Sequence, residues 1–256
     1  MRNEFAEFMM SRTQRTLAIL QLFTPERPAL CAEDIVSLLD ISRATAYRCI
    51  NDLKANGLLD VASSGSYVLG PAIMQLDRLV RLHDPLLTLS IGLIKQLSRK
   101  TSGSVLLCRL HDMKALCIYE EQGTNSPKTI SYERGRAMPL FYGATSKVML
   151  ANLEPAAVET ILKHESDALN QAGLPVSSEP LHTLLAQWRT QRILRAEEEV
   201  DPGACGWAMA IYQGKELLGS LSVVLKRHSN VTDAQVTSAL LQTGLRIEAL
   251  LEKPSR

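Results

Sequence analysis

Residues 41–59, ISRATAYRCINDLKANGLL, have a helical apolar rhythm with two arginines, a tyrosine and an asparagine on the other side. At 100° per residue, Ala46, Cys49, Ile50 and Leu53 share one face. Ala44, Tyr47, Arg48 and Asn51 lie opposite them, with Arg43, Thr45 and Lys54 at the flanks. Ser42 is a good N-cap, and Asn56-Gly57 closes the helix. In a major groove an arginine can donate two bonds to guanine and an asparagine can pair with adenine. A helix start carrying Ser42, Arg43 and Thr45 can hold a phosphate. Most polar helix faces are merely wet, so the neighbouring segments must decide.

Upstream, residues 13–23 (TQRTLAILQLF) form a helical pattern that Pro25 ends. Ile35, Leu38 and Leu39 mark a short second helix, and Asp40 and Ile41 a turn. Downstream, LLDVASSGSYVLG reads as two short strands around a Ser-Ser-Gly turn. Three short helices and a small hairpin are the layout of a winged helix-turn-helix, and a wing accounts for an otherwise odd hairpin. Residues 71–83 (PAIMQLDRLVRLH) form a further helix with Pro71 in its first turn, interrupted by Asp84-Pro85.

Beyond that point the texture changes. A helix at about 86–100 precedes a hairpin of SVLLCRL and ALCIYEE around HDMK. TISYE reads as a strand, and GRAMPLFYGATSKVMLA turns from strand into helix. Helices follow at about 154–164 and 181–191, then strands CGWAMAIY and ELLGSLSVVL flanking Gln213-Gly214, and a last helix from Thr232 to about Leu251. Antiparallel strands covered by helices predict an α+β fold.

The 256 residues are 46 % hydrophobic and 21 % charged, with a net charge of +1. Residues 1–80 hold eight basic against nine acidic side chains, so nonspecific attraction to a polyanion is weak. Specific binding would rest on a few placed contacts and on two paired copies. Five cysteines without a CxxC pair read as reduced thiols, and there is no signal-peptide core or apolar run of roughly 20 residues. A soluble, cytoplasmic protein is expected. GATSK lacks phosphate-loop spacing, neither GxSxG nor HExxH occurs, and the five histidines lack ligand spacing. The acids of AEEEVD would alternate faces on a strand, which reads as a solvated edge. No catalytic residue, metal site or cofactor is expected.

In order along the chain, RTLAILQLF, EDIVSLLDISRATAYRCINDLKANGLL, YVLGPAIMQL, GRAMPLFYGATSKVMLA, LRAEEEVDPGACGWAMAIY and LLGSLSVV resemble the isocitrate-lyase-regulator (IclR) family of bacterial transcription factors. The resemblance covers roughly residues 12–250. With the patterns above it implies a winged helix-turn-helix DNA-binding domain over 12–70, a linker helix over 71–84, and a GAF-like effector-binding and oligomerisation domain over 85–256. Tyr47, Arg48 and Asn51 are the expected base readers; Arg15, Ser42, Arg43 and Thr45 would position the backbone, with Ser64 and Ser66 on the wing.

Carried over position by position, the effector pocket comprises Ile130, Met138, Ala144, Thr145, Ala196, Gly206, Ser222 and Val224. Departures cluster there: Ala196, Gly206 and Val224 stand where characterised members place an acid, a cysteine and a serine. In the DNA-binding half, Asp40 replaces the usual turn glycine, and Ala44 a serine. With only Thr145 and Ser222 as obvious polar groups, and Trp207 adjacent in sequence, the pocket is expected to favour an apolar effector such as an aromatic acid. Its carboxylate would sit on backbone N–H groups near Ala144–Ser146. The expected partners are a palindromic double-stranded operator, the effector, and further copies in a homodimer or dimer of dimers; no membrane is expected. The family suggests a repressor more often than an activator. The alternative is a ligand-binding protein or metabolic enzyme with a helical N-terminal appendage.

Overall fold

The computed structural model describes residues 11–62 and 65–253, which fall into two compact units meeting between His83 and Asp84. The first contains α1 (Arg12–Gln21), α2 (Ala32–Leu39), α3 (Arg43–Ala55), the antiparallel pair β1 (Leu59–Val61) and β2 (Tyr67–Leu69), and α4 (Pro71–His83). Its core is one cluster that includes Ile19, Leu30, Ile35, Ala46, Cys49, Ile50 and Leu53.

Local chemistry sets each helix end. Ser11 and Gln14 make a reciprocal capping box on α1. On α2 the same device uses a thiol: Cys31 sulfur accepts from the Asp34 N–H, and the Asp34 carboxylate accepts from the Cys31 N–H. Asp40 takes the left-handed conformation at φ 50°, ψ 50°, which turns the chain sharply into α3. At the end of α3, Gly57 (φ +67°) lets the Leu58 N–H reach back to the Leu53 carbonyl. The Gly57 carbonyl then accepts from the Ala72 N–H, stitching the start of α4 to the end of α3. Leu30 and Tyr67 exchange two backbone bonds, a bridge to the wing that the sequence did not suggest. Helix α1 stops at Gln21, short of Pro25.

The second unit contains α5 (Pro85–Thr101), β3 (Ser104–His111), β4 (Lys114–Glu121), β5 (Ala137–Pro139), α6 (Gly143–Ala151), α7 (Pro155–His164), α8 (Ser166–Gln171), α9 (Ser178–Thr190), β6 (Leu194–Glu197), β7 (Ala204–Gln213), β8 (Glu216–Lys226) and α10 (Asp233–Leu251). Six antiparallel strands run in the order β5-β4-β3-β8-β7-β6. Alternation gives the sheet two different faces. Val105, Leu107, Trp207, Met209, Leu221 and Val223 pack under α5 and α10. On the other face Gly206, Ala208, Ala210, Ser220 and Ser222 are small, so α6 lies close to the strands; a Cβ on Gly206 would stand 3.9 Å from Ala144 Cβ.

Three expectations are corrected. Residues 129–133 form no strand, because the Ser131 N–H donates to the Asp201 carboxylate instead of to a neighbouring strand. Helix α8 lay unread between two helices, and α9 begins at Ser178, three residues before the apolar pattern suggested. Only Glu197, the first acid of AEEEVD, is on a strand; Glu198 leaves it at φ 54°, and Glu197, Glu198 and Glu199 each pair with another group although Glu198 and Glu199 are exposed. Among the described residues, no helix is long and apolar enough to cross a membrane.

Candidate functional site

Helix α3 buries Ala46, Cys49, Ile50 and Leu53 and exposes Arg43, Ala44, Tyr47, Arg48 and Asn51. Arg48 Nε donates to the Ala44 carbonyl at 3.1 Å, laying the guanidinium along the exposed side. Arg43 reaches Glu33 of α2 at 3.6 Å with both side chains more than half exposed, a contact that a phosphate could readily replace. Ser42 Oγ accepts the Thr45 N–H at 3.2 Å and lies 2.9 Å from Thr45 Oγ1, so both hydroxyls already serve the helix start. Asp52, the acid of this helix, is tied to Arg12 of α1 at 2.6 Å. Arg15 is half-buried on α1 and Ser66 half-buried at the wing, while Ser64 lies outside the described residues. Lys54 sits over the Tyr67 ring at 5.9 Å, joining the end of α3 to the wing.

In the second unit a cavity lies between the start of α6 and the β6–β7 end of the sheet. Ile130, Ala144, Thr145, Ala196, Gly206 and Val224 line it, together with Tyr132, Gly143, Ala204 and residues Glu198–Asp201 of the β6–β7 loop. About 40 Å³ of it is wide enough to admit a water molecule. Two expected members lie elsewhere. Met138 is on β5, paired with Ala115 and packed into the neighbouring core. Ser222 is fully buried behind the lining, accepting the Thr145 hydroxyl at 2.9 Å. Trp207 follows Gly206 in sequence but alternation turns its ring to the opposite sheet face, under Arg195 at 5.5 Å.

The expectation of a cavity without polar side chains is also corrected, because a loop supplies them. Glu199 accepts the Gly143 N–H at 2.9 Å and pairs with Lys147 at 2.6 Å. Asp201 accepts from both the N–H and the hydroxyl of Ser131. Glu198 binds Arg227 and the Gly203 N–H. Tyr132 shares a 2.7 Å bond with Ser146, and burial pushes its phenol well above the usual range, so it stays neutral. No composition or periodicity signal marks Tyr132, Lys147 or Glu199, because each matters only through residues distant in sequence. A wider groove of about 420 Å³ passes Arg192, Tyr212 and Glu248 on another side, where Arg192 and Glu248 already face one another at 3.7 Å. Among the described residues no group of three His, Cys, Asp or Glu could hold a metal.

Residues 83–249 match the family described as Bacterial transcriptional regulator IclR C-terminal, and residues 13–61 match the IclR helix-turn-helix domain. The chain is 26 % identical over 252 residues to the HTH-type transcriptional regulator XynR of Escherichia coli (strain K12), spanning 96 % of this chain and 99 % of that one. It is 25 % identical over 149 residues to the regulator KipR of Bacillus subtilis (strain 168), 58 % of this chain and 59 % of that one. These relatives are transcriptional regulators rather than enzymes. Among solved structures, an IclR family regulator from Brucella abortus superposes with a TM-score of 0.77 at 17 % identity, covering 97 % of this chain and 94 % of that one. An IclR homolog from Microbacterium hydrocarbonoxydans, complexed with 4-hydroxybenzoate, superposes with a TM-score of 0.72 at 19 % identity, covering 94 % and 99 %.

Proposed function

Because the chain belongs to the IclR family of bacterial transcriptional regulators, we propose that it is a cytoplasmic repressor that reads a palindromic operator as a homodimer or dimer of dimers, under the control of a small organic acid. The winged helix-turn-helix over 12–70 reads DNA, 71–84 links, and 85–256 senses the effector. The observation that carries the DNA half is the exposed side of α3, where Arg43, Tyr47, Arg48, Asn51 and Lys54 stand without a carboxylate among them. Arg48, Asn51 and Tyr47 read bases, while Arg15, Ser42, Arg43, Thr45 and, on the wing, Ser64 and Ser66 set the helix against the phosphates. Two half-sites multiply contacts that one copy makes weakly.

The cavity at the start of α6, with Ile130, Ala144, Thr145, Ala196, Gly206 and Val224 in its wall, is the effector site. Ser222 backs that wall through Thr145, and Met138 packs in the neighbouring core. An acid effector is supported by the amide end of α6, by Lys147 one turn along it, and by the 4-hydroxybenzoate bound to the Microbacterium homolog. Ligand sites usually offer about 300–1,000 Å³, far more than this cavity provides, so the effector-bound form is the wider one.

The test is competition. Binding to a fluorescent fragment of the upstream intergenic DNA, at about 0.15 M salt with excess random DNA, should survive the competitor. Arg48→Ala should lose about 1–3 kcal/mol of discrimination between operator and random DNA while melting at the same temperature. A variant that discriminates as well as the parent removes Arg48 as a base reader.

A further inference from the structure

One wall of the proposed effector cavity is a segment of the chain itself. Between β6 and β7, residues Glu198–Gly203 form a strap held at three points by carboxylates: Glu198 on Arg227, Glu199 on Lys147 and the Gly143 N–H, and Asp201 on Ser131. Val200 fills the space beneath. Its Cγ2 stands 2.8 Å from where a Cβ on Gly143 would be, so any other residue there would push Val200 away, and the φ of +72° favours glycine as well.

The middle latch differs from the other two. The first N–H groups of a helix have no partner within it, and the residue before α6, Tyr142, provides no side-chain cap. Glu199 fills that role from 56 positions away in sequence, and the same oxygen meets Lys147, whose ammonium lies 5.4 Å from the centre of the Trp188 ring. The Lys147 side chain is only 16 % exposed. A carboxylate from outside would seek this amide and this ammonium, and both are taken.

Resting on the reading of this cavity as an acid-effector site, we propose that the strap Glu198–Gly203 is its lid, and that Glu199 is the lid's latch and an internal competitor for the effector's acid group. Two carboxylates cannot share one ammonium and one N–H without strong repulsion, so an acid enters only as Glu199 leaves. Val200 adjoins Glu199 on the strap, so the same exchange withdraws it and widens the cavity. The latch lowers apparent affinity by the fraction of molecules that are closed. It also makes strap displacement an obligatory part of binding, and so a movement through which occupancy can be sensed. Glu199 thereby sets specificity, because a neutral ligand has no means of replacing it on Lys147.

The experiment is calorimetric titration of the full chain with monocarboxylates from pyruvate to 4-hydroxybenzoate, each beside its neutral primary amide. Glu199→Ala should bind its preferred acid about tenfold more tightly than the wild type, with the matching amide changed less than about threefold. Glu199→Gln, which keeps a hydrogen-bond acceptor but no charge, should fall between, and decides the matter should the alanine variant fail to fold. If an acid binds wild type and variants alike, Glu199 is only packing; if acid and amide gain equally, Glu199 holds the strap without competing for the acid group; either result overturns the proposed competition while the effector cavity stands. If no acid binds either wild type or variants, the acid-effector reading fails, and the competition with it.

Discussion

Ser42 carries two duties that pull on one oxygen. Its Oγ caps α3 by accepting the Thr45 N–H, and the proposed DNA contact would turn the same side chain toward a phosphate. Ser42→Ala should therefore cost about 1 kcal/mol in thermal unfolding of the N-terminal unit. Ser42→Asp separates the duties, since aspartate caps equally well but repels phosphate. It should melt like the parent and bind operator and random DNA more weakly by the same factor, read by anisotropy; loss confined to the operator would place Ser42 among the base readers. The cap was legible in the sequence, as was the turn at Asp40 before it. Ser42 and Thr45 holding each other at 2.9 Å was not, because side-chain pairing depends on rotamers that a residue pattern leaves open.

At the scale of elements, the sheet of the second unit depends on close backbone approach at one glycine. A Cβ on Gly219 of β8 would lie 1.9 Å from the Cys108 carbonyl oxygen of β3, with the Arg109 Cα at 2.9 Å. Both obstacles are backbone and cannot rotate away. Gly219→Ala should cost at least about 3 kcal/mol in denaturant unfolding of the C-terminal unit, whereas Gly214→Ala, with nothing within 4 Å of its Cβ, meets only the strain of φ +60°. Equal losses at the two positions would show that β3 and β8 can separate without penalty. Periodicity located the long helices and the β7–β8 hairpin. It failed at 129–133 and at Glu198–Gly203, where backbone and side-chain groups pair across the fold.

For the whole molecule, each unit has hydrophobic clusters of its own among the described residues. Ile19 to Leu59 form one core, and the remaining clusters begin at Leu86. Asp84 belongs to the second unit twice over, capping α5 through the Leu86 and Leu87 N–H groups and holding Arg109 of β3 by two bonds of 2.8 and 2.7 Å. A fragment of residues 84–256 should fold alone, unfold cooperatively and keep the acid affinity of the full chain, as calorimetry and circular dichroism would register. A fragment lacking cooperative unfolding would mean that the first unit completes its core. The family resemblance supplied the eight candidate cavity positions, six of which line the cavity; the order of elements in the first unit and the outward face of α3 were legible in the residues themselves. Those follow from local rules: helical spacing, capping, turn chemistry and strand alternation act within a few residues. Long-range packing alone put Met138 in the neighbouring core and Ser222 behind Thr145, turned Trp207 to the opposite sheet face, and brought Glu199 of the cavity lining to Lys147. Those are outcomes of chain closure, in which the face a strand residue presents and the partner an ionic group finds depend on segments 50 or more residues away, as Gly143 and Glu199 do.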